Sequence, residues 1–123
     1  MLYLLWDSAE FTREKREWLE KQFAEIPKDD WLFVMLHCDA YASGTSADEY
    51  SDGGGFARDN NDIIRDVMPL LEKMNVDAVI TGYNHHLEAL TKNGLNYFVV
   101  GGMGGITDGK LTHISTASLW HSN

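Results

Sequence analysis

The run WLFVML, Trp31 to Leu36, limits the fold more than any other stretch of this 123-residue chain. Six apolar residues follow one another without alternation, bounded by charged residues before and by His37 after. Such a run reads as a strand covered on both faces, the kind found in parallel sheets with helices packed against them. Asp77-Ala-Val-Ile-Thr-Gly82 repeats the pattern in shorter form. Between the two lies NDIIRDVMPLLEKMN, where Ile63, Val67, Leu70, Leu71 and Met74 share one helical face and Ile64 borders it. Pro69 removes a backbone donor and clashes with the carbonyl four residues back, so this helix is expected to kink or break.

Upstream, TREKREWLEKQFAEI sets Leu19, Phe23 and Ile26 at helical spacing with Trp18 alongside and charge elsewhere. Asp7, Ser8 and Thr12 offer oxygens to cap its start, and Pro27 stops it. Leu2 to Trp6 is a candidate first strand. Downstream, HLEALTKNG and LNYFVVGG read as two strands joined by a turn at Asn93-Gly94. A glycine-rich loop from Gly101 to Lys110 follows, with a turn at Asp108-Gly109, and the tail LTHISTASLWHSN holds one more strand. The alternation of strands and helices predicts an α/β fold over residues 1–123 as one domain. Its sheet is mixed and flanked by helices, parallel in its first part with the hairpin as an antiparallel edge.

Apolar residues make up 44% and charged residues 24%, the balance of a globular chain. A formal charge of −9 repels a phosphate backbone and an anionic bilayer, which argues against nucleic-acid and membrane partners. Cys38 is the single cysteine, so neither an intrachain disulfide nor a cysteine-rich zinc site can form. No apolar stretch is long enough to cross a bilayer, and MLYLLWDSAE lacks the basic start of a secretory signal.

In open α/β sheets, sites form beyond the carboxyl ends of the strands. His37 closes the second strand and Gly82 to His86 follow the third, so neighbouring strands would bring these histidines to one rim. The glycines from Gly101 to Gly105 would lie close by. Neutral imidazole is a ligand for zinc, manganese and iron. His85 and His86 point to opposite faces if the strand continues, so one of them serves a given site. The segment Cys38 to Arg58 is rich in Gly, Ser, Asp and Tyr and reads as a long loop, its carboxylates from Asp48 to Asp62 a solvated face. Cys38 reads as an inert small residue, His113 and His121 as surface residues, and Trp18, Trp31 and the helix methionines as core. A single-metal arrangement with His37 and His85 joined by Asp39 or His86 is a further possibility.

Taken in order, FTREKREWLEKQF, WLFVMLHCDAYASG, MPLLEKMNVDAVITGYNHHLEAL and NGLNYFVVGGMGG resemble the calcineurin-like metallophosphoesterases, in particular their purple-acid-phosphatase-like branch. The resemblance implies half of a four-layer αββα sandwich and metal-dependent hydrolysis of phosphate esters, with divalent or trivalent Fe, Mn or Zn as cofactor. Carried over residue by residue, it makes His37 a ligand of one metal and His85, from Gly82-Tyr83-Asn84-His85, a ligand of the other. Tyr83, Asn84, His86, Asp39 and Gly102 would be site neighbours. Tyr83 stands where the family's Gly-His-x-His motif has its first histidine, and Asp39 stands near a usual proline. The chain contains no Asp-x-His, Gly-Asp-x-x-Asp or Gly-Asn-His-Glu, so the resemblance is to the carboxyl-terminal half alone. Two expectations follow. The isolated chain is weakly active or inactive, the alternative being a non-catalytic interaction module. One sheet face lacks its partner, so the chain either pairs with itself or with a chain that supplies the missing half.

Overall fold

The computed structural model describes residues 11–44, 61–102, 111 and 114–122. The expected strand at Leu2–Trp6, the loop carboxylates from Asp48 to Asp62 except Asp62 itself, the turn at Asp108-Gly109 and His113 lie outside these residues. Helix α1 runs Arg13–Ala24, with the hydroxyl of Thr12 accepting a hydrogen bond from the Lys15 N–H at 3.3 Å as its N-cap. It ends before Pro27 and buries Leu19 and Phe23. Strand β1 is Phe33–Met35. Two short helices follow, α2 (Asn61–Asp66) and α3 (Met68–Lys73), then strands β2 (Ala78–Thr81), β3 (Leu87–Lys92), β4 (Leu95–Val100) and β5 (Ser118–Ser122). The expected break falls at Val67, two residues before Pro69, which sits in the first turn of α3 where its missing N–H has no partner to lose. No helix among the described residues is long and apolar enough to cross a membrane.

The five strands form one mixed sheet in the order β1-β2-β4-β3-β5. β1, β2 and β4 are parallel, while β3 is antiparallel to both β4 and β5. The Asn93-Gly94 turn has both residues at positive φ, 52° and 83°, which suits the right-handed twist of a tight hairpin. That hairpin carries β4 into the sheet beside β2, so its second strand, not its first, meets the parallel set. A second tie holds β1 to β2: the Leu32 N–H donates to Asp77 Oδ2 at 2.6 Å, and the Asp77 N–H donates to the Leu32 carbonyl at 2.9 Å.

Register divides the sheet into two unlike faces. Val34, Val79, Tyr97 and Leu90 stand side by side on one face and are fully buried. They join Leu19 and Phe23 of α1 and Met68, Leu70 and Leu71 of α3 in a single core cluster. Met35, Ile80, Phe98, Ala89 and Trp120 form the corresponding row on the other face, across all five strands. Phe98 is 41% and Trp120 57% exposed. WLFVML is therefore covered on one face only, contrary to the reading of its apolar run. Trp31, expected in the core, is 71% exposed and stacks on Phe33 with ring centroids 6.3 Å apart. Trp18, also expected in the core, is 51% exposed. It lies about 100° around α1 from Leu19, outside the stripe that meets the sheet.

Candidate functional site

The parallel pairing of β1 with β2 brings the two candidate segments to one rim. The Leu36 N–H donates to the Ile80 carbonyl at 3.0 Å, and beyond the last strand residues the Gly82 N–H reaches the His37 carbonyl at 3.4 Å. The exposed ring of His37 meets Tyr83 edge-on, with centroids 5.2 Å apart and planes at 89°. His85, two residues on, is also exposed, while His86 turns inward and is buried. The opposite orientation of these two adjacent histidines is what strand alternation implies. Burial, with Cys38 and Asp39 nearby, pushes the Tyr83 phenol above the ordinary tyrosine range, so it is neutral at physiological pH.

Beneath the rim, polar side chains are buried and hydrogen-bonded to one another. Asp39 accepts from the Thr81 hydroxyl through Oδ1 and from the Asn84 N–H through Oδ2 at 3.2 Å. It thereby links the segment after β1 to the segment after β2. Burial pushes its carboxyl up to about 6, against the pull of those hydrogen bonds. Glu88 faces the opposite balance. Burial raises its carboxyl, but the His86 ring at 3.1 Å and Ser43, whose hydroxyl and N–H donate at 2.5 Å and 2.8 Å, hold it at about 2. The Ser115 N–H in turn donates to the Ser43 hydroxyl at 3.0 Å. Cys38 is buried. The Nδ2 of Asn84 is buried with no hydrogen-bond partner among the described residues.

Gly101 and Gly102 close the site from the end of β4. A methyl group added at Gly101 would collide with the carbonyl oxygens of Asn84 and Gly82, whereas one at Gly102 would make ordinary contact, 3.9 Å from the His85 carbonyl. Glycine at 101 is thus a condition for the Gly82–His86 segment to lie where it does.

The histidines do not by themselves make a metal centre. No group of three or more His, Cys, Asp or Glu side chains able to hold a metal ion exists among the described residues. Asp39 and His86, the candidates to complete a single-metal site, are buried with their polar atoms engaged by Thr81, Asn84 and Glu88. Two imidazoles fall short of the three or four protein ligands such sites use. Sequence reading missed the Ser43–Glu88–His86 network, because only the fold brings residues 43 and 88 together. It could have flagged Glu88 as an isolated carboxylate within an apolar strand.

Comparison with solved structures settles the architecture. The chain superposes over 98% of its length on purple acid phosphatase PPD1 from yellow lupin (Lupinus luteus) seeds, with a TM-score of 0.64 and 18% identity. It carries part of a metallophosphoesterase-like fold. The same TM-score and 98% coverage, at 19% identity, relate it to GAP50, the anchor in the inner membrane complex of Plasmodium. It covers 24% of the lupin chain and 38% of GAP50. Two uncharacterized proteins of Mycobacterium tuberculosis are 30% identical to it over 82 residues, a match that takes in 61% of this chain and 13% of theirs. No protein-family model matches the chain.

Proposed function

We propose that this chain is the histidine-bearing portion of a metal-dependent phosphoesterase domain. Its substrate class would be phosphate esters, and Fe, Mn or Zn would be its metals. His37 and His85 would be its two ligands. Carboxylates from outside the described residues would be needed before any hydrolysis. The observation that carries this reading is the meeting of His37 with Tyr83 at 5.2 Å, since Tyr83 holds the place of the first histidine in the motif that ends at His85. The chemistry belongs to a completed centre, so none is assigned to these residues alone.

Calorimetric titration of Mn²⁺ and Zn²⁺ into the chain tests the reading, alongside an aryl phosphate assay. Weak binding is expected, as befits two imidazoles where such sites use three or four protein ligands. It should be lost in His37→Ala and in His85→Ala, with no turnover above buffer in any of the three proteins. Titrations identical in wild type and both variants would remove His37 and His85 from the proposal. The second reading, a non-catalytic interaction module, is favoured by a separate observation: the uncovered apolar sheet face.

A further inference from the structure

Asn93 is the one asparagine of this chain that glycine follows. Asn-Gly is a labile linkage, because glycine has no side chain to screen its backbone nitrogen from the amide carbon before it. Once deprotonated by hydroxide or a buffer base, the Gly94 nitrogen attacks Asn93 Cγ. The N–Cγ bond forms, the Cγ–Nδ2 bond breaks, and Nδ2 leaves as ammonia with a proton from water. The cyclic imide then takes up one water at either carbonyl and opens to aspartate or isoaspartate. Water is the co-reactant, and nothing is oxidised or reduced.

The fold sets the terms of that reaction. Asn93 and Gly94 form the tip of the β3–β4 hairpin, at the end of the sheet away from His37 and His85. The ladder closes at Lys92 and Leu95, so both residues stand outside it. Both are exposed. A carbon added at Gly94 would meet nothing within 4 Å, so water and base reach the turn freely. The amide under attack is nevertheless tethered. Asn93 Nδ2 donates to Glu72 Oε1 of α3 at 2.9 Å. Ring closure brings Cγ onto the Gly94 nitrogen and expels Nδ2, which ends that bond. The paired strands on either side also hold the turn at φ 52° and 83°.

We infer that Asn93 is a site of spontaneous deamidation, restrained in the folded chain by its hydrogen bond to Glu72. The product does not restore what is lost. Aspartate or isoaspartate at position 93 sets a second carboxylate against Glu72 where a donor stood, and adds one negative charge to the formal −9. Isoaspartate also adds a carbon to the backbone of a tight turn, so the modified hairpin is looser. This requires no metal and holds whether or not the chain hydrolyses phosphoesters.

The test is prolonged incubation of the purified chain at physiological temperature, at neutral and at mildly alkaline pH. Digestion and mass spectrometry with electron-transfer fragmentation then locate the product and separate aspartate from isoaspartate. Conversion is expected at Asn93 ahead of the other asparagines, as a mixture of both acids, and faster at the higher pH. Glu72→Ala should speed it several-fold. Glu72→Gln keeps an acceptor oxygen for Nδ2 and should stay within about twofold of wild type. Circular dichroism checks that each variant is folded. Wild type unfolded in guanidinium should convert several-fold faster than the folded chain, which keeps the restraint measurable if a variant does not fold. An intact Asn93 in folded wild type, or earlier conversion at another asparagine, would overturn the proposal. So would an unchanged or slower rate in folded Glu72→Ala, or a folded chain that converts as fast as the unfolded one.

Discussion

At the scale of single residues, Asp39 sets a cost against an attachment. Its carboxylate holds Thr81 and the Asn84 N–H, yet burial raises its pKa from 3.8 to about 6. The folded protein therefore binds this proton more tightly than the unfolded chain does. Stability falls as pH rises from about 4 through 6 and then levels off, a loss of about 3 kcal/mol if the whole shift is expressed. Asp39→Asn can still accept from the Asn84 N–H and removes the charge. It should gain on wild type as pH rises from 4 to 7.5, by about 2–3 kcal/mol in denaturant midpoints. A difference constant with pH would refute the assignment. Glu88 works the other way: with its carboxyl lowered from 4.5 to about 2, it contributes stability above pH 4.5 that is lost as pH falls through 2. Gly101 is the other decisive residue. Gly101→Ala should destabilise the fold by about 2 kcal/mol or more, because the added carbon meets backbone rather than a movable side chain. Unchanged melting of that variant would show that the segment can shift without cost.

Among the elements, the hairpin was the most legible. Asn-Gly between two alternating runs requires positive φ at both turn residues, and both have it. Gly94→Ala, at φ 83°, should lower stability by about 1 kcal/mol in urea, with a slope unchanged from wild type. Thr12, Pro69 and the stripes of α1 and α3 were equally readable, since capping and periodicity are local properties. What periodicity could not tell was which side of an apolar strand is open. WLFVML is apolar on both faces because both are suited to burial, yet the helices take up only one. The candidate site was legible to the same degree. Motif position brought His37 and the Gly82–His86 segment to one rim, but Thr81 and Asn84 reach Asp39, and Ser43 reaches Glu88, from 42 to 45 residues away and carry no local signature.

For the molecule as a whole, the sign and placement of charge govern behaviour in solution. Each copy carries a formal −9, and the open face carries none of it in its strands.

The helices lie behind the sheet while the histidines stand at its end, and this separates two properties that proteins often entangle. Substitutions at Phe98 or Trp120, on the exposed face of the sheet, lie away from the rim where His37 and His85 stand, so each can change without the other being touched.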